Sequence, residues 1–462
     1  MDRQCSLWLY EIVCSLRNCK GLIESPMPFR KAPTAISDKL QASFCDNVAN
    51  IALERTVPEM NHPESPSSAP IPRSAVLLLS LAAFASGISL RVTDALLPRL
   101  STEFGVTLGA ASYVITVFAI AYGISQLFFG PLGDRFGKYL VVAWACVACC
   151  ITATLCALAP NFPLLLVARL LAGGTAAAII PLSMAWIGDV VPYDERQPVL
   201  ARFLIGQILG LSTGVLVGGL AADYFSWRVP FFGVALIFIA ISVALFLLNR
   251  RLPAHARAVH KAEGAVVRRT IAEFGQVAAT PWARTVLLTV FLEGALLYGG
   301  FAFIASHVHR VHHVSLTTAG SLVMLFGFGG LLFAIASKAL VRRLGEAGLS
   351  KWGGIFLGIS LLAIGIGPAW WWAIPGCFAA GLGFYMFHNT LQINATQMAP
   401  ERRGAAVSAF ASCFFMGQSV GVALAGLLVE QFGTTVVLVI SAAGVLCVAL
   451  RFSGKLSRSR RA

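Results

Sequence analysis

Residues 109–158 read GAASYVITVFAIAYGISQLFFGPLGDRFGKYLVVAWACVACCITATLCAL. Two apolar runs of about twenty residues flank a short hinge that carries Asp134, Arg135 and Lys138. A helix rises about 1.5 Å per residue, so each run is long enough to cross about 30 Å of hydrocarbon. The pattern repeats in both directions. Runs at 75–97, 109–131, 138–158, 162–183, 201–222 and 229–249 precede a basic stretch, and runs at 285–307, 317–338, 350–368, 372–394, 405–427 and 434–452 follow it. Barrel strands would be about ten residues long with strict alternation, which these runs lack. The expected fold is an all-α membrane protein of twelve transmembrane helices in two pseudo-symmetric six-helix bundles.

Composition agrees with lipid as the solvent. Of the 462 residues, 57% are hydrophobic and 12% charged, about half the charged share of an ordinary soluble domain. A net charge of +14 would suit a nucleic-acid partner, but the basic residues fall in short clusters between apolar runs, as on the cytoplasmic side of a membrane protein. No nucleic acid is expected. The cysteines have no metal-ligand spacing and read as apolar filler, and no metal site is expected.

Lysine and arginine set the orientation. Alternate loops hold Arg135, Lys138, Arg196, Arg202, Arg250, Arg251, Arg257, Lys261, Arg268, Arg269 and Arg284, then Lys338, Arg342, Arg343, Lys351, Arg402 and Arg403. The intervening loops hold Arg99, Arg228 and Arg310. Both termini are therefore expected in the cytoplasm, with the protein in the plasma membrane (a bacterial inner membrane). Residues 1–73 read as a disordered cytosolic extension, and Met60 is a candidate true start. A bundle at 74–249, a basic linker at 250–284, a bundle at 285–452 and a basic tail at 453–462 complete the organisation.

The halves read as copies. Gly206-Gln207-x-x-Gly210 is echoed by Gly417-Gln418-x-x-Gly421, and Arg135-Phe136-Gly137 by Arg343-Leu344-Gly345. Internal repeats of this kind characterise secondary transporters, whose substrate site lies between the repeats.

The hinge Gly130-Pro-Leu-Gly133-Asp134-Arg135-Phe-Gly137-Lys138 resembles the signature loop of the major facilitator superfamily, at the expected place between spans two and three. Arg169-Leu-Leu-Ala-Gly173-Gly174 in span four and Asp189…Pro192-Tyr-Asp194-Glu195-Arg196 are similar to further segments of that family. Span five carries Gly210, Gly214, Gly218 and Gly219, similar to the antiporter motif of its drug/proton exchangers, with Gly214-Val215 in place of the usual Gly-Pro. The resemblance, over residues 74–455, implies secondary transport, most similar to the drug/proton antiporter and sugar-efflux branch. It implies proton-coupled efflux of a small drug-like or sugar-like compound by alternating access, driven by the proton gradient without a cofactor. Uptake with protons by symport is the alternative, supported by Val215, and a non-transporting sensor is the remote one. No enzyme activity is expected, because no nucleophile or metal constellation lies in the spans. The partners are substrate, protons and lipid, with a monomer as the default.

Individual residues carry the expected chemistry. Asp134 is placed to meet the positive end of span three, and the hinge charges to latch the halves. The span-five glycines share one helical face, with Gly327, Gly329 and Gly330 of span eight as candidates for the facing surface. Ionisable groups within a span are costly and usually face a cavity or a partner. Arg91 and Asp94 in span one can pair with each other or serve substrate and proton, and Pro98 is expected to end or kink that helix. Arg169 lies about 10 Å from the outer surface. Glu293 in span seven is either a proton carrier or a structural hydrogen-bonded carboxyl. His388 and Gln392 share a face of span ten as cavity lining or interhelical packing. His307, His309, His312 and His313 read as incidental, solvated loop residues, and Trp370, Trp371 and Trp372 as an interfacial anchor.

Overall fold

The computed structural model describes residues 72–257 and 266–459, with some side chains at 193–194, 266–271 and 459 left aside. The extension before Pro72, the Met60 start and Lys261 fall outside these residues. Among the described residues the regular structure is helical throughout, without strands.

Among the described residues, nine helices are long and apolar enough to cross a bilayer. Two of them run 51 and 59 residues, too long for one crossing. Each breaks at a glycine in the left-handed region, Gly345 (φ 62°) and Gly433 (φ 79°), where a side chain would be strained. They supply spans eight and nine (316–344, 346–366) and spans eleven and twelve (403–432, 434–459). Span ten, Ala373–Gln397, is long enough to cross but diluted by His388, Asn389, Thr390, Gln392 and Asn394. The remaining spans are Arg73–Phe104, Leu108–Phe136, Lys138–Leu158, Phe162–Val190, Tyr193–Tyr224, Val229–Asn249 and Pro281–His312. Twelve crossings result. A further helix, Val266–Ala279, lies within the basic linker.

Several boundaries differ from the sequence expectation. Pro98 does not end span one, whose helix continues to Phe104 and stops at Gly105 (φ 63°). Pro131 likewise lies inside span two, which runs through most of the charged hinge to Phe136. A proline removes one backbone donor, and neither helix stops there. Span seven extends to His312, so His307 and His309 are helical rather than loop residues. His307 is buried, with Nδ1 2.9 Å from Thr434 Oγ1 and Nε2 3.1 Å from the Ile364 carbonyl. It is a structural histidine, not a solvated one.

The two halves repeat each other in detail, with a corrected register. Gly210 packs so closely on span one that a Cβ there would strike the Phe84 carbonyl oxygen, and Gly417 meets Phe291 in the same way. Gly173 meets the Phe118 carbonyl as Gly381 meets that of Phe326. Thr107 caps span two as Ser315 caps span eight. Gly137 and Gly345 break the chain with positive φ at matching places. Equivalent residues are thus 207 positions apart in spans one, five, seven and eleven, and 208 apart in spans two, four, eight and ten. The G-Q-x-x-G echo, set 211 apart, is one helical turn out: Gly210 matches Gly417, not Gly421. Four residues is close to one turn, so a slipped register still keeps glycine on the same face.

The span-five stripe also has a different partner from the one expected. Gly206, Gly210, Gly214 and Gly218 lie against Ser80, Phe84, Ile88 and Val92 of span one, inside the same half. Gly219, off the stripe, meets Leu316 of span eight. Gly327 does face span five, at Ser212, but Gly329 and Gly330 pack on Phe378 and Tyr385 of span ten.

Candidate functional site

The halves meet along spans one and seven, five and eight, and two and eleven. A small, partly open cavity lies among spans one, five, seven, eight and ten, with Arg91 its one charged lining side chain among the described residues. Arg91 Nη1 donates to Asp94 Oδ2 at 3.3 Å, and both side chains are nearly inaccessible. The i, i+3 spacing places them one above the other on span one. The pair faces the other half: the guanidinium carbon sits 3.9 Å from the Tyr298 ring centre and 5.3 Å from that of Phe301. A cation over an aromatic face in a desolvated site is attracted by about 2 kcal/mol. Tyr298 and Phe301 are the repeat equivalents of Arg91 and Asp94, so charge in one half abuts aromatic surface at the matching place in the other.

Arg169 is wholly buried and ties the first half together. Its Nε donates to the Val114 carbonyl (3.2 Å), Nη1 to the Ser89 carbonyl (3.0 Å) and Nη2 to Thr93 Oγ1 (3.5 Å), while its carbon lies 4.2 Å from the Phe118 ring centre. Helix carbonyls of spans one and two thereby gain a charged donor from span four. Among the described residues Arg169 forms no ion pair; it cross-braces three helices.

Glu293 and His388, 95 residues apart, meet: His388 Nδ1 is 2.8 Å from Glu293 Oε2. The other carboxyl oxygen, Oε1, is buried without a hydrogen-bond partner among the described residues. The imidazole is enclosed by Phe384, Phe410 and Phe414, with ring centres 4.9, 5.3 and 4.8 Å away. Gln392, one turn along span ten, is exposed and does not join the pair. Gln418 of span eleven is wholly buried, and both its amide atoms lack a partner among the described residues.

The charged hinge lies on the face that carries both ends of the described chain. Lys138 Nζ bridges Asp134 Oδ1 (3.1 Å) and Asp189 Oδ2 (2.5 Å), joining spans two, three and four. Asp134 belongs to the last turn of the span-two helix and bonds Lys138, the first residue of span three, through its side chain. Gly137 (φ 89°) makes the turn, and a Cβ on Gly133 would collide with Leu182, whereas Gly130 has open space around it. The Arg135 guanidinium lies over the Phe136 ring at 5.2 Å. Asp189 is a member of this cluster that the hinge motif alone does not name.

The opposite face is closed by two matched clasps. Asp223, at the end of span five, accepts the backbone N–H groups of Leu316 (3.2 Å to Oδ1) and Thr317 (2.6 Å to Oδ2) at the start of span eight. Glu430, its repeat equivalent in span eleven, accepts from the Thr107 hydroxyl at the start of span two. Ser419 adds a hydrogen bond to the Thr116 carbonyl at 3.3 Å. Each clasp sets a carboxylate of one half on a helix N-terminus of the other, where the backbone dipole favours negative charge. Sequence reasoning named neither acid, although the repeat offset links them.

The family model of the Major Facilitator Superfamily matches residues 79–414. The chain belongs to this superfamily. As a member it is a multi-pass integral membrane transporter. It is 23% identical over 352 residues to the uncharacterised MFS-type transporter YceJ of Bacillus subtilis (strain 168), covering 75% of this chain and 87% of that one. It is 28% identical over 173 residues to the multidrug export protein EmrB of Escherichia coli (strain K12), covering 37% of this chain and 33% of that one. Similar solved structures include a bacterial homologue of the human lysosomal transporter Spinster, inward-facing and unoccupied (TM-score 0.65, 19% identity, 83% of this chain and 96% of that one). A mutant form of the nucleoside transporter NupG is also similar (TM-score 0.68, 15% identity, 82% and 98%). These structures share the fold.

Proposed function

We propose that this transporter exports a small organic compound in exchange for protons, by alternating access of its two halves to the central cavity. The observation that carries the proposal is the Glu293–His388 pair, a buried carboxyl with one oxygen on an imidazole and the other unpartnered among the described residues. A carboxyl and an imidazole in direct contact can pass a proton between them and take up or release it in place. Export is supported by similarity to EmrB over part of the chain and by the span-five glycine stripe, whose close fit to span one leaves no room for a side chain between the two helices.

In this reading the Lys138 cluster steadies the cytoplasmic ends of spans two to four, and the Asp223 and Glu430 clasps hold the outer face shut. The described state is then the one closed to the outside. The lysines and arginines near Lys138 support a cytoplasmic position for that face and for both termini, in a bacterial inner membrane. Proton-coupled uptake is the second reading, favoured by Val215, which replaces the motif's proline and lines the cavity.

A deletion strain screened against antibiotics, dyes and sugars identifies the compound. Inverted vesicles then test the mechanism. Export by exchange predicts that acidifying the lumen drives the compound inward, and that Glu293→Gln abolishes the response. Loss of compound from an acidified lumen marks uptake with protons instead. An unchanged response in Glu293→Gln removes the pair from the mechanism.

A further inference from the structure

We infer that the cavity takes an organic monoanion with an aromatic body, its carboxylate on Arg91 and its ring among Tyr298, Phe301, Phe326 and Tyr385. The inference rests on the transport reading for its purpose, but binding tests it independently of transport.

Charge on the walls decides the sign of the ligand. Arg91 is the single charged residue lining the cavity among the described residues, so no acid there awaits a cation. Its Nη1 is engaged at 3.3 Å from Asp94, longer than the usual charge-assisted bond of about 2.8 Å. Among the described residues Asp94 is its one ion-pair partner, although a guanidinium presents five donors. The charge around it is also unbalanced. Among the described residues, the first half buries two guanidiniums, Arg91 and Arg169, against one carboxylate, Asp94. Arg169 spends its donors on Val114, Ser89 and Thr93. Glu293, in the other half, has His388 beside it rather than either arginine. An uncompensated buried cation is costly in a low-dielectric interior, and a bound anion relieves that cost.

The rest of the wall decides the body of the ligand. Aromatic rings from spans seven, eight and ten crowd one side: Tyr298 and Phe301 lie 5.5 Å apart between centres, and Phe301 and Phe326 4.7 Å. Aliphatic Ile208, Leu211 and Val215 of span five line the other. Among the described residues Ser212 is the one polar side chain on that second side, and a sugar would leave its hydroxyls unmatched against it. A flat ring can slip beside Tyr298 and hold Arg91 through its carboxylate while the cation–π contact persists.

The test is equilibrium binding to the purified full-length protein in lipid nanodiscs. The probes are 1-naphthoate, its amide, 1-naphthylmethylammonium and acetate. We expect naphthoate to bind at least tenfold tighter than the amide, the ammonium compound and acetate. Arg91→Gln should abolish the preference for the acid over the amide. Tyr385→Leu, which leaves every charge in place, should weaken naphthoate several-fold and leave acetate unchanged. That second variant, with a monodisperse elution profile for both, separates recognition from misfolding. Tighter binding of the ammonium compound, binding of no acid at millimolar concentration, or an intact acid preference in Arg91→Gln overturns the inference. Naphthoate bound but not moved by liposomes counts against transport and leaves the binding assignment standing. Proton-driven movement of cations alone does the reverse.

Discussion

Removing the Asp223 carboxylate should loosen the outer face by an amount the structure allows to be worked out. Asp223 takes two backbone N–H groups, at 2.6 and 3.2 Å, on the first turn of span eight. A carboxylate at a helix N-terminus contributes about 0.3–1 kcal/mol at a surface, and its charge-assisted bonds somewhat more. Asp223 is solvent-exposed, so screening holds the total near about 1 kcal/mol. Asp223→Ala should therefore raise the outward-open fraction about fivefold. Glu430→Ala should act similarly through Thr107. The two sites share no partner, so their effects should add, giving about thirtyfold in the double variant. The reporter is Ala95→Cys in a cysteine-free background. Ala95 is inaccessible in span one and packs with residues of the second half. Labelling by an impermeant maleimide from outside then tracks the open fraction. Rates unchanged in either single variant, or a double variant no faster than the singles, would refute the clasp.

Further outcomes follow from other contacts. Gly210→Ala forces a methyl into the Phe84 carbonyl and Gly417→Ala into that of Phe291; each should cost about 1–3 kcal/mol, read as a lower melting temperature, with both positions affected alike. Arg169→Leu strips the Ser89 and Val114 carbonyls of their added donor and should cost about 2 kcal/mol or more in thermal unfolding, and Arg91→Leu, which leaves the buried Asp94 carboxylate unpaired and removes the cation on Tyr298, should cost at least as much. Asp134→Ala and Lys138→Ala break an ion cluster that is partly exposed, so insertion and melting should change little while transport falls; full transport in both would exclude a gating role. A reporter at residue 459 should be active only on the cytoplasmic side.

The spans were legible because lipid imposes a length and an apolar character that few other environments demand. Even span ten, diluted by His388 and its polar neighbours, kept its apolar flanks. Helix ends were less legible. Pro98 looks like a stop, but the chain stays helical past it to Phe104. His307 looked like a loop residue because its partners, Thr434 and Ile364, are 127 and 57 positions away.

Within the site, the Arg91–Asp94 pair could be read from its i, i+3 spacing. Glu293 and His388 were each visible as polar residues in a span, but nothing local announces that they touch. Tyr298 was missed because an aromatic residue in a membrane helix is ordinary. Only the repeat register sets it opposite Arg91, and the same register would have linked Asp223 to Glu430. That register was misjudged by one turn, since glycine recurs every four residues in span five and each shift preserves the face.

Alternation of the two halves is the claim on which the rest depends, and a removable lock across the outer face tests it most directly. Asp223→Cys with Thr317→Cys, in a cysteine-free background, places one thiol on each half where a carboxylate now meets a backbone amide. Oxidation to the disulfide should stop transport of the compound found in the deletion screen, and reduction should restore it. Full transport with the disulfide formed would contradict the account.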